Sequence, residues 1–164
     1  MNRAIFLFSA LLMMLASCSK VTAPDTVEQT LRSANSWVRI NARVVYKDPL
    51  TGGDSTKNYI DSSIVCRLDN TMKFNDGFVG TINLGAKHCE IGEPDTRNFT
   101  WQATADGKHL SLYGVQDMFP MNNVDAQITT LTLGTLAIRY SSITIDPQFQ
   151  TADTLIYTDV FRQQ

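Results

Sequence analysis

The sequence predicts an all-β protein of one domain, a barrel or a sandwich, preceded by a short helix and an export signal. Three observations predict it. From Trp37 onward apolar side chains alternate with polar ones, the period of strands that bury one face. Asn75-Asp76-Gly77 and Asp106-Gly107 interrupt that alternation with hairpin chemistry. No stretch of the mature chain holds a helical period over a useful length. The 164 residues suit one domain, and an apolar content of 43% is enough to build a core rather than a disordered chain.

Charge excludes one class of function. Fourteen basic against sixteen acidic residues give a net charge of −2. A nucleic-acid binder would need a cluster of Lys and Arg to neutralise phosphates, and none occurs.

The elements follow in order. Asn2-Arg3 supplies a positive start, Ala4 to Ala16 is an apolar run, and Ala16-Ser17 are small residues ahead of Cys18. This is the layout of a signal peptide, and its run is too short to span about 30 Å of hydrocarbon as a helix. Removal of residues 1–17 takes away Arg3 and leaves 13 basic and 16 acidic residues, a charge of −3. Leu15-Ala16-Ser17-Cys18 resembles the bacterial lipobox. The resemblance implies that Cys18 becomes a lipidated N-terminus and that the membrane is a partner through that lipid. Each buried methylene contributes ~0.8 kcal/mol, so two or three acyl chains anchor stably where one is marginal.

With Cys18 assigned to lipid, Cys66 and Cys89 remain as an even pair in an oxidising compartment. A disulfide is the simplest outcome, and closing a loop of about 24 residues stabilises by roughly 3 kcal/mol. Zinc is the alternative that His88 and His109 raise, but no C-x-x-C or H-x-x-x-H spacing supports a metal.

Residues 18–30 read as a lipidated tether, polar with Pro24, and 31–164 as the domain. Thr26 and Gln29 form the pattern of a capping box, which starts a one- or two-turn helix over Val27 to Ser33. In the first strand, Val38, Ile40, Ala42, Val44 and Tyr46 fall on one side, with Arg39, Asn41 and Arg43 on the other. Asp48 to Asp54 is a turn or loop. Met72 and Phe74 enter the first hairpin, and Phe78, Gly80, Ile82 and Leu84 leave it, with Phe74 opposite Phe78. In that register Cys66 falls near Thr81 to Gly85, a few residues from Cys89 and within folding-back distance. Phe99, Trp101 and Ala103 enter the second hairpin, and Leu110 and Leu112 continue the same face. Val124 to Leu131, Thr135 to Tyr140 and Thr154 to Arg162 complete seven to nine strands.

The block Cys66-Arg67-Leu68-Asp69-Asn70-Thr71-Met72-Lys73-Phe74-Asn75-Asp76-Gly77, followed by Gly85, Cys89, Phe99-Thr100-Trp101 and Asp106-Gly107-Lys108-His109-Leu110, resembles the lipocalin-like lipoprotein domains of Bacteroidetes. The resemblance implies an antiparallel up-and-down barrel of about eight strands, with Trp37 opening the first. Asn35 stands where lipocalins usually carry a Gly, and Asn tolerates positive φ well enough to keep the turn. The family supplies neither ligand nor catalytic residues to carry over.

Candidate chemistry is sparse. Asp69-Asn70 offers too few oxygen ligands for calcium and fits backbone capping. Glu90, Glu93 and Asp95, with Arg97, read as a solvated loop. No Gly-x-Ser-x-Gly elbow, phosphate loop or Ser-His-acid constellation is present, so the expectation is no enzyme and no cofactor. Eight strands enclose either packed side chains or one small ligand. Trp101, Tyr113, Met118, Phe119 and Met121 are therefore the candidate ligand-lining or barrel-mouth residues, Met118 to Met121 because apolar side chains between strands must cover something. Two functions follow. One is carriage of a small apolar or amphipathic ligand inside the barrel. The other is a filled barrel that engages protein or glycan through its loops. Residues 19–24 lack an acidic run of the sort that surface lipoproteins of Bacteroidetes carry, which points to an outer-membrane anchor facing the periplasm, with the cell surface as the alternative.

Overall fold

Trp37 begins the strand on which the sheet closes. A computed structural model describes residues 26–48, 50–59, 65–145 and 152–164; the signal segment, Cys18 and the tether up to Asp25 lie outside them. Strand β1 (Trp37–Lys47) has partners on both edges. On one edge it pairs with the last strand, Ala152–Gln163, from Trp37 against Gln163 to Val45 against Ile156. On the other edge Trp37 and Val38 pair with Met72 and Thr71, while Arg43 to Lys47 pair with β2 (Asp54–Asn58). Then come β3 (Thr71–Phe74), β4 (Val79–Asn83), β5 (Thr96–Ala103), β6 (His109–Tyr113), β7 (Asn123–Leu131), β8 (Thr135–Ile145) and β9 (Ala152–Gln163), each antiparallel to the next. The product is the expected closed antiparallel barrel of eight strands, with β2 lying along β1 as a ninth. β2 starts at the end of the expected Asp48–Asp54 loop and was not foreseen, because Asp54-Ser55-Thr56-Lys57-Asn58 is polar throughout and leaves no alternation to read.

Helix α1 (Val27–Ser33) starts on the expected capping box, with the Thr26 hydroxyl accepting from the Gln29 amide and the Gln29 side chain accepting from the Thr26 amide. It lies over the barrel end where β1 begins. Leu31 is buried, and its carbonyl accepts from Trp37 Nε1 at 2.9 Å, so the folded unit reaches back to Thr26.

Two registers differ from expectation. A bulge at Ile40 shifts the pairing between Arg39 and Asn41. One extra residue swaps faces, so Ile40 points outward, 49% exposed, while Arg39 turns inward. In the first hairpin Phe74 pairs with Gly80, not Phe78. A 3₁₀ turn over Asp76–Phe78 lengthens the connection, and Phe78 takes a φ of +60° outside the strand. The ring of Phe78 rests edge-on against Trp101, with centroids 5.5 Å apart. Gly80 faces inward without a side chain, and the Phe99 ring occupies the space a Cβ would need.

The second hairpin follows expectation. Ala103 pairs with Leu110 and Trp101 with Leu112, and Phe99, Trp101, Ala103, Leu110 and Leu112 all face the core.

Candidate functional site

Among the described residues, a polar cluster lies inside the barrel. Asp159 on β9, wholly buried, receives the hydroxyls of Tyr59 and Tyr140, the latter at 3.0 Å, and lies 3.4 Å from Arg39 Nη2. The Arg39 guanidinium is also enclosed by aromatic faces, with ring centroids at 5.1 Å for Phe119, 5.6 Å for Phe161 and 5.8 Å for Tyr59, a cation–π arrangement that partly replaces lost water. Burial pushes the Asp159 carboxyl above its ordinary range, against the opposing pull of Arg39 and the two phenols. Burial likewise raises both tyrosines, so their hydroxyls stay protonated donors. Tyr157 stacks on Tyr140 at 5.0 Å and covers the cluster from its own strand.

Around it, the described interior side chains are mostly apolar and form one core. Trp37, Phe74, Phe161, Met72, Ile82, Leu112, Leu136 and Ile138 are fully buried in one continuous core. α1 covers one end. The β6–β7 loop covers the other, turning back through Met118 N to Val115 O and sending Met118 and Phe119 into the barrel. Phe119 meets Tyr140 at 5.7 Å and Phe161 at 5.9 Å.

That lid is tied down by two further segments. Cys66, in a 3₁₀ turn over Val65–Arg67, is bonded to Cys89, with Cα atoms 5.1 Å apart. The side chains of Arg67 and Asn70 donate to the carbonyls of Gln116 and Asp117. Arg97 bridges the Asp117 carboxylate at 3.2 Å and that of Glu93 at 3.6 Å. Asp69 accepts from the Ala86 amide, and its carboxyl fills the space beside Gly85, whose φ of +64° suits glycine. Asp69 therefore caps a backbone amide, as expected, whereas Asn70 serves a backbone carbonyl instead. The acidic loop is exposed, as expected, apart from Glu93, which turns inward to accept from the amides of Cys89 at 2.8 Å and Glu90 at 3.4 Å. The Cys89 amide above all, helped by the Glu90 amide and Arg97, holds Glu93 below the usual carboxylate range.

The candidate ligand residues thus separate. Trp101 faces inward and donates its indole N–H to the Val79 carbonyl at 2.8 Å. Met118 and Phe119 plug the lid end, and Met121 packs partly against the core. Tyr113 lies on the outer wall, 48% exposed. There it borders a groove of about 450 Å³ lined by residues of β4 to β7 and the adjoining loops. Sequence reading missed Arg39, Tyr59 and Asp159 as a unit. The alternation of Leu155, Tyr157, Asp159 and Phe161 was a usable sign that an acid faces the core, and an inward acid requires a partner.

These features define a class, a closed antiparallel barrel packed with its own side chains and grooved on its outer wall. Compared with known proteins, the chain matches no protein-family model and no curated protein.

Proposed function

We infer that the chain is a lipid-anchored, non-enzymatic envelope module of the lipocalin-like kind that binds through its outer surface rather than its interior. The observation that carries this reading is the occupied interior. Phe119 and Met118 enter from one end, α1 covers the other, and the Arg39–Asp159 cluster spans the space between strands. An apolar cargo would have to displace Phe119 and face a buried ion pair, both unfavourable. The anchor rests on Leu15-Ala16-Ser17-Cys18, and an outer-membrane, periplasm-facing site rests on the residues after it.

Native mass spectrometry of the membrane-extracted protein tests the binding mode. The expected result is a mass that accounts for the polypeptide and its acyl chains alone. A further apolar molecule held at one per chain would overturn the reading. Fractionation tests the anchor: Cys18→Ala is expected to leave the membrane fraction or stay unprocessed, and wild-type protein found soluble with an unmodified Cys18 would remove that part.

A further inference from the structure

We propose that the groove on the outer wall between β4 and β7 binds a neutral saccharide chain. The proposal rests on the reading that binding is external and adds a site and a ligand class to it.

The groove follows from strand register. Val79, Thr100, Tyr113 and Asn123 are paired in sequence across four strands, so their side chains form one row on the outer face. Thr81 and Asn98 form the start of the next row. Just past Tyr113 comes Gly114, φ +82°, which carries no side chain beside the Asn98 carbonyl. Asn75 stands at one side and Asn122 at the other. Three inter-strand spacings make the floor about 14 Å across.

The lining selects the ligand. The eleven described residues that line the groove are uncharged, so none of them repays desolvating an ionic ligand. A lipid chain would bury amides and hydroxyls without giving them partners. An extended peptide cannot add as a strand, because β4, β5, β6 and β7 are hydrogen-bonded on both edges. A sugar chain meets every condition. Its hydroxyls both donate and accept, matching the amides of Asn98, Asn122 and Asn123 and the hydroxyls of Thr81 and Thr100, and its C–H faces can lie on Tyr113 and Val79. Part of the site is already set: Asn75 Nδ2 donates to Thr81 Oγ1 at 3.2 Å, and Asn122 Nδ2 to Asn123 Oδ1 at 3.3 Å. Its volume, about 450 Å³, lies within the ordinary range of small-ligand sites.

The test is a titration of the ¹⁵N-labelled mature protein with four neutral tetrasaccharides, of glucose in α- and β-linkage, of mannose and of N-acetylglucosamine, beside an acidic tetragalacturonate. The expected result is that at least one neutral sugar moves the amide signals of Thr81, Asn98, Thr100, Tyr113 and Asn123. Tyr113→Ala should weaken it at least tenfold, Tyr113→Phe should retain most of it, and Thr100→Arg, which places a long cation on the floor, should abolish it. These side chains face solvent, so the variants are expected to fold, and unchanged core amide signals check that. The proposal is overturned if no neutral sugar moves those signals, if Tyr113→Ala binds as well as wild type, or if only the acidic sugar acts. An apolar molecule found inside the barrel would instead remove the external-binding reading, and the groove amides would still report the sugar independently.

Discussion

Arg39 and Asp159 lie 3.4 Å apart inside the barrel, the one on β1 and the other on β9, across the seam where the sheet closes. The pair is in place because of a single residue. Without the bulge at Ile40, Arg39 would point to solvent and Asp159 would face the core alone.

The two partners are not equivalent, and their removal should show it. A guanidinium keeps its charge in a protein, whereas a carboxyl can take up a proton. Asp159→Leu therefore strands a buried cation and is expected to cost about 3–5 kcal/mol, the range for breaking a buried pair. Arg39→Met leaves a carboxyl that can neutralise itself beneath two phenol donors, and should cost clearly less. Denaturant unfolding of both variants checks the order. Equal losses would mean that the aromatic enclosure, not the charge, carries the site.

Acid should act on this carboxyl in an unusual direction. Asp159 has its folded value raised above its ordinary 3.8 by burial, so the folded state binds the proton more readily than the unfolded chain. Its contribution is then fully present below 3.8 and is lost as pH rises through the raised value. The stability of wild type relative to Asp159→Asn is expected to grow as pH falls from 7 toward 4. A gap that shrinks over that range would show Arg39 and the phenols overcoming burial.

Glu93 should respond oppositely. Its folded value is lowered, so its contribution is present above its ordinary 4.5 and is lost as pH falls through the lower folded value. Hydrogen exchange at the Cys89 and Glu90 amides, corrected for intrinsic rate, is expected to show weaker protection in acid and none of this pH response in Glu93→Gln. The Cys66–Cys89 bond limits how far the loop can open. Cys89→Ser, paired with Cys66→Ser, should cost roughly 3 kcal/mol in the chain-entropy account, and the loss of protection should extend to Met118 and Phe119, because Arg67 and Asn70 hold that loop. Protection that changes only at Glu90 to Asp95 would mean the lid is independent of the bond.

The barrel was legible where local chemistry and alternation agree. The capping box at Thr26 and Gln29, the second hairpin, and the inward run of Phe99, Trp101 and Ala103 all stand where the sequence puts them. The even cysteine pair identified the bridge without any knowledge of the loops it joins. What was hidden depends on counting residues that periodicity does not count. The bulge moved Arg39 inside, and the 3₁₀ turn moved the partner of Phe74 by two places. Tyr59 follows a polar strand and meets Asp159 only through closure of the barrel. Tyr113 differs, since Leu110 and Leu112 facing inward already place it outside. The groove around it joins unremarkable Asn and Thr residues from four strands, and only the register makes them neighbours.

Phe119 is the decisive side chain for a packed interior, because it comes from a loop and could in principle have pointed to solvent. It is buried instead, against Tyr140, Phe161 and the Arg39 guanidinium. Phe119→Ala removes the ring without supplying anything to fill its place, and the strands around it are fixed by ladders on both sides, so collapse can be only partial. The expected cost is about 3–5 kcal/mol. The vacated space would be bounded by aromatic rings and would admit a small aromatic molecule, as apolar engineered cavities do. Benzene or indole should therefore raise the unfolding temperature of Phe119→Ala and leave that of wild type unchanged. A loss below about 1 kcal/mol, smaller than a buried aromatic truncation costs, together with an equal response of wild type to indole, would mean that room already exists beside the ring and that the interior can hold a ligand after all.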